Sequence, residues 1–103
     1  MNHRMPRATR HSTTALRRQI IATCLELERR GLNQGTSGNV SARAADGFLI
    51  TPTALAYDRM KPADIVHLTL AGQPSGRRPP SSEWRFHLDL MRARPEVGAV
   101  IHT

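Results

Sequence analysis

The stretch NVSARAADGFLITP constrains this chain more than any other. Two short alternating runs, at 39–43 and 48–51, carry the period of half-buried strands, and Asp46-Gly47 between them is a turn pair that tolerates positive φ. The spacing predicts a β-hairpin. VHLTL, at 66–70, reads as another strand, closed by the turn-rich AGQPSGRRPP. A last strand is read over 97–103, where Val97, Ala99, Val100 and Ile101 look like residues a core would claim.

Two helices accompany these strands. From Thr13 or Thr14 as N-cap, ALRRQIIATCLELERR places Leu16, Ile20, Cys24 and Leu27 on one face, and Gly31 supplies a C-terminal stop. The second starts at Ser81 or Ser82 and runs through EWRFHLDLMRAR, with Trp84, His87, Leu88 and Met91 on one face and Pro95 ending it. Between the hairpin and VHLTL, the segment PTALAYDRMKPADIV reads as loop plus a short helical turn with Pro62 at an N1-like position. The order of elements is that of a mixed α/β layer arrangement.

At 103 residues the chain holds one domain. We divide it into a basic lead at 1–12, read as disordered, and a domain at 13–103. The first eighteen residues carry five arginines and no acid, yet no apolar run there is long enough for a signal peptide or a membrane span. All but Lys61 of the 15 basic residues are arginine, giving a formal charge of +7. Their scatter fits codon usage better than a binding patch, and the few aromatics are not interleaved with them as a nucleic-acid surface requires. Nucleic acid and membrane are therefore set aside as partners. The single Cys24 has no disulfide partner within the chain and reads as a small buried hydrophobe in a reducing cytoplasm.

Three loops carry more small polar residues and glycine than turns require: NQGTSGN, ITPT and PPSSE. They offer hydroxyls, an amide and backbone N–H groups, with Ser81 and Ser82 at a helix N-terminus that favours an anion. An oxyanion or phosphate pocket is one reading, and ordinary turn chemistry is the other. Glu83 is either an acid that offsets the helix dipole or a functional carboxylate. His102 stands on the last strand without a second histidine two positions on, the arrangement that would hold a metal. His3, His11, His67 and His87 show no partner at ligand spacing and read as solvent contacts or satisfied core residues.

Together, RGLNQGTSGNVSARAADGFLITPT, YDRMKPADIV and RRPPSSEWRFHLDLMRARPEVGAVIHT resemble the N-terminal half of the class II aldolase/adducin family, from about residue 15 to residue 103. The resemblance implies a three-layer α/β/α fold with a central, largely antiparallel sheet, here truncated. It implies reversible, metal-dependent aldol cleavage of a sugar phosphate such as fuculose 1-phosphate to dihydroxyacetone phosphate and an aldehyde, by a cytoplasmic homotetramer. Gly38, Asn39, Thr53, Ser81 and Ser82 match phosphate-binding positions, and Glu83 matches the catalytic acid/base that also approaches the metal when substrate is absent. His102 matches the first histidine ligand of the metal, usually Zn2+. Ala54 departs from the pattern, since the fuculose-phosphate members have glycine there. The family's second histidine is expected immediately after Thr103 and a third later, so a chain of these residues alone is expected to be inactive. Related epimerases, dehydratases and decarboxylases share the same front half. A non-catalytic adducin-like interaction domain has no evident need for Glu83, His102 and the phosphate loops together.

Overall fold

A computed structural model describes residues 5–33 and 37–103, with side chains from residue 13 onward. Helix α1 spans Met5–Arg29, so Thr13 and Thr14 lie inside it rather than at its cap. Of the lead expected to be disordered at 1–12, residues 1–4 lie outside the described residues and 5–12 are helical backbone. Helix already nucleated propagates cheaply through alanine, arginine and methionine, and Pro6 falls in the first turn, where a missing N–H breaks no bond. The C-terminus of α1 closes as expected at Gly31, whose φ is 74°. The Leu32 N–H donates to the Leu27 carbonyl at 2.9 Å and the Gly31 N–H to the Glu28 carbonyl at 3.0 Å, a Schellman pair.

Strands β1 (Asn39–Ala44) and β2 (Gly47–Ile50) form the hairpin, with Ala44 paired to Gly47. The turn is therefore Ala45-Asp46, and Asp46 itself takes the left-handed conformation at φ 66°. Gly47 also has a positive φ, 147°, and is needed for packing as well: a β-carbon there would lie 1.9 Å from the Leu68 carbonyl oxygen. Strand β3 is Val66–Leu68, shorter than expected, because the Thr69 hydroxyl accepts the Ala71 and Gln73 N–H groups and turns the chain. The segment read only as turn supplies a two-residue edge strand β4, Pro74–Ser75, and the last strand β5 is Ala99–His102. The five strands are all antiparallel, in the order β4-β3-β2-β1-β5.

Alternation along these strands sorts the core into two layers. Val40, Ala42 and Leu49 face α1, where Ile20, Cys24 and Leu27 meet them with Tyr57, Met60 and Ile65. Phe48, Ile50, Val66 and Leu68 face the other way, onto Leu88 and Met91 of helix α2 (Trp84–Ala93). The result is helix, sheet, helix, with the expected three layers. Each large apolar side chain buried this way contributes roughly 1.5–3 kcal/mol relative to an exposed one.

Some of the positive charge is spent within the fold. Arg17 donates to the Pro62 and Ile65 carbonyls, at 3.0 and 2.6 Å, and ties α1 to the segment after β2. Arg43 donates to the carbonyls of Met91 and Val97, each at 2.8 Å, and clamps the end of α2 and the approach to β5 onto β1. Pro62 does open a short helical turn, Pro62–Asp64, whose Asp64 carboxylate accepts the Lys61 N–H at 2.8 Å. No helix among the described residues is long and apolar enough to cross a membrane.

Candidate active site

The three polar loops meet at one end of the sheet through backbone hydrogen bonds. The Thr51 N–H donates to the Val40 carbonyl at 3.1 Å, and the Thr51 hydroxyl accepts the Val40 N–H at 3.3 Å. On its other side, the Ser81 N–H donates to the Thr51 carbonyl at 2.9 Å and the Thr53 N–H to the Pro79 carbonyl at 3.1 Å. Gly38 and Asn39 thus lie beside the segment 51–53, which lies beside Ser81, Ser82 and Glu83. Asn39 and Ser81 are buried, Thr53 is half-buried and Ser82 is exposed.

Helix α2 begins at Trp84, with Glu83 at the cap position rather than in the first turn. Ser81 works two residues before the cap: its hydroxyl accepts the Glu83 N–H at 3.2 Å and its carbonyl accepts the Trp84 N–H at 3.0 Å. This local turn starts the helix and leaves the Glu83 side chain free to lean over the sheet.

There Glu83 meets β1 and β5. Asn39 and His102 are cross-strand partners, and both side chains reach the same carboxylate oxygen, Glu83 Oε1. The Asn39 amide nitrogen donates to it at 3.3 Å, and His102 Nδ1 is in hydrogen-bond contact with it. Asn39 continues inward: its Oδ1 lies 2.5 Å from Nε2 of His87, whose Nδ1 lies 2.7 Å from the Ser41 hydroxyl. His87 is wholly buried, and burial above all, with His102 second, pulls its pKa down to about 4 against the opposing pull of Glu83. The Phe86 ring packs against both His87 and His102 at the site's outer edge.

Behind the first loop, Asn33 and Tyr57 form a second buried pair. Asn33 Nδ2 donates to the Tyr57 hydroxyl at 3.1 Å, and burial raises that phenol to about 12, so it stays protonated.

The expected residues are thus brought together unequally. Asn39, Glu83 and His102 share one contact point, while Gly38, Thr53, Ser81 and Ser82 are neighbours through the backbone. His87, read as solvent-facing or a satisfied core histidine, is the latter. His67 lies on the α1 face of β3, where it pairs with Leu49, on the opposite side of the sheet from His102. The side chains of His3 and His11 lie outside the described residues. Ser41, His87, Asn33 and Tyr57 were not singled out for the site. For Ser41 and His87 the signal was present as spacing, since Ser41 is two residues from Asn39 on a strand and His87 is one helical turn beyond the cap residue Glu83, whereas the Asn33–Tyr57 pair, 24 residues apart, carries no such signal.

The donor set is suited to a divalent cation but incomplete for one. His102 offers an imidazole beside the Glu83 carboxylate, yet among the described residues no group of three or more histidine, cysteine or acidic side chains comes together. A catalytic zinc takes three protein ligands and an open position, so these residues alone do not make that site.

A family model described as Class II Aldolase and Adducin N-terminal domain matches residues 18–103. Over 88 residues the chain is 54% identical to the 5-methylthioribulose-1-phosphate/5-deoxyribulose-1-phosphate aldolase of Escherichia coli O45:K1 (strain S88 / ExPEC), covering 85% of this chain and 41% of that protein. It is 52% identical over 87 residues to the L-fuculose phosphate aldolase of Escherichia coli (strain K12), covering 84% of this chain and 40% of that protein. A solved structure of L-fuculose 1-phosphate aldolase superposes with a TM-score of 0.81 at 32% identity, over 84% of this chain and 42% of its own. The chain therefore spans about two-fifths of the length of these curated relatives.

Proposed function

The chain belongs to the class II aldolase and adducin family, and from that premise we propose that it is the phosphate-binding and proton-transferring part of an aldolase acting on a ketose 1-phosphate. The observation that carries this reading is the meeting of Asn39, His102 and Glu83 at one carboxylate oxygen. Three segments distant in sequence, the start of β1, the cap of α2 and the end of β5, converge there, and each brings a different chemical capacity.

Gly38, Asn39, Thr53, Ser81 and Ser82 would hold the phosphate, through the backbone N–H groups and hydroxyls of three adjoining segments and the start of α2. Glu83 would carry the proton between substrate carbon and solvent, since its carboxylate leans over the sheet with its oxygen already aimed by Asn39 and His102. A divalent metal, zinc by family resemblance, supplies Lewis-acid polarisation of the ketose carbonyl when bound. His102 would ligate it, with Glu83 beside it before substrate arrives, and the other ligands would come from outside the described residues. The whole enzyme is proposed as a cytoplasmic homotetramer by family resemblance, and the buried, unpaired Cys24 supports a reducing compartment.

Two relatives of nearly equal identity are named for different sugars, L-fuculose phosphate and 5-methylthioribulose 1-phosphate, so the proposal commits to their shared element, a ketose carrying a phosphate on carbon 1. The test is release of dihydroxyacetone phosphate from each sugar phosphate by a full-length chain carrying these residues, with zinc supplied. Glu83→Gln is expected to lower turnover by roughly 10²–10⁴-fold while phosphate affinity is kept. Unchanged turnover would remove Glu83 from its role, and conversion of both sugars without carbon-carbon cleavage would favour an epimerase or dehydratase. Residues 1–103 alone are expected to be inactive, and metal-dependent cleavage by them would overturn that expectation.

A further inference from the structure

We infer that His87 is a positioning residue, which sets through Asn39 the end of the amide that faces Glu83 and the substrate phosphate. This rests on the phosphate-binding reading above and extends it to a side chain that touches neither substrate nor metal. His87 is wholly buried on the inner face of α2, and both its ring nitrogens are used inside the protein, Nδ1 by Ser41 and Nε2 by Asn39. Its neighbours along the helix face, Leu88 and Met91, are apolar, and an apolar residue would fill the same space without the cost of burying a polar ring.

What the ring adds is direction. Asn39 has an oxygen that accepts and a nitrogen that donates, and turning the amide by half a turn exchanges them with little change of shape. Glu83 Oε1 only accepts when ionised, so the amide nitrogen has to face it, and Oδ1 then faces His87. That requires a proton on His87 Nε2. A neutral imidazole has one N–H, so Nδ1 accepts, and the Ser41 hydroxyl donates to it. The hydrogen bonds therefore run one way: Ser41 O–H to His87 Nδ1, His87 Nε2–H to Asn39 Oδ1, and Asn39 Nδ2–H to Glu83. The second hydrogen on the Asn39 nitrogen serves the phosphate. With a residue unable to donate at position 87, Glu83 alone holds the amide, and Asn39 Oδ1 is left buried without its donor, so the inverted form is opposed from one end instead of two.

The inference is tested on the 103-residue chain by imidazole ¹⁵N spectroscopy and by calorimetric titration with inorganic phosphate. The spectrum is expected to show His87 as the Nε2–H tautomer, mixed with the other form in Ser41→Ala; a single Nδ1–H form in the unaltered chain overturns the inference. Phosphate affinity is expected to fall about tenfold or more in His87→Leu, as in Asn39→Ala. His87→Gln, whose amide can donate to Asn39 and accept from Ser41, should restore most of that loss, which a merely space-filling role would not produce. Wild-type affinity in a folded His87→Leu overturns the inference. Should that variant fail to fold, Ser41→Ala decides: an unmixed tautomer and unaltered affinity would also overturn it. If the unaltered chain binds no phosphate, the phosphate reading fails instead, and the tautomer alone decides the orienting role of His87.

Discussion

Gly38 rests directly on the side-chain amide of Asn33, so close that a β-carbon on Gly38 would lie 2.1 Å from Asn33 Nδ2. Asn33 cannot swing aside, because it is buried under the loop and its amide nitrogen is held by the Tyr57 hydroxyl. Its Oδ1 is also buried and has no partner among the described residues, so this contact is made by shape more than by hydrogen bonding. The loop that would bind phosphate is thus seated on a pair of residues from the end of α1 and the segment after β2.

A Gly38→Ala substitution is expected to cost roughly 1–3 kcal/mol by overpacking against Asn33. Denaturant unfolding of the single variants and of the Asn33→Ala, Gly38→Ala double variant checks it. The double variant should be distinctly more stable than the sum of the singles implies, and strict additivity would show that the two do not press on each other.

Ala54 has a φ of 57°. A β-carbon in the left-handed region costs roughly 1–2 kcal/mol, and glycine gives back part of that by loosening the unfolded chain. Ala54→Gly should therefore stabilise the fold by about 0.5–1 kcal/mol, read as a higher denaturation midpoint. A lower midpoint would mean that the methyl group packs usefully.

Asp64 lies buried beneath Arg77 and Arg78, which donate to its Oδ1 at 2.9 and 2.7 Å. Burial alone would raise its pKa, but Arg78, the Lys61 N–H and Arg77 outweigh it and hold the carboxyl at about 2. The stabilisation this implies is fully present above the unfolded value near 4 and is lost as pH falls through about 2. Because both arginines are largely exposed, at 58% and 41%, Asp64→Asn should cost only about 1–2 kcal/mol at neutral pH. The gap between the two proteins should close on acidification, and a gap that stays constant down to about pH 2 would contradict the pairing.

His87 gives the opposite end of the same relation. Its folded pKa of about 4 lies below the unfolded value near 6.5, so the unfolded chain takes up the proton first. Stability should be complete above pH ~6.5 and fall by roughly 3 kcal/mol as pH drops to about 4, then level for this group. The groups facing the ring are Glu83, which opposes the shift, and His102, which adds to it. Unfolding free energies of the unaltered chain and His87→Gln across this range check it, since the variant should lack that share of the slope.

Much of the fold was legible from local pattern because local physics decides it. The spacing of Leu16, Ile20, Cys24 and Leu27 announced a helix face, and three of the four are buried against the sheet. The hairpin followed from alternation, although the turn settled on Ala45-Asp46 once Gly47 was needed for the close approach of Leu68. What misled was the ends: a threonine is a good cap only where the chain before it leaves the helix, and here it does not.

The sequence by itself determined the faces of both helices, most of the strands, the three loops rich in glycine and small polar residues, and which family the chain resembles. The tertiary structure alone decided that Asn39, Glu83, His87 and His102 form one connected network. Asn39 stands opposite His102 because β1 and β5 pair in that register, and Glu83 and His87 reach them because α2 packs on that face of the sheet. Neither relation is written in the spacing of neighbouring residues: a strand's partner and a helix's angle are set by the burial of the whole sheet face, which no local stretch contains.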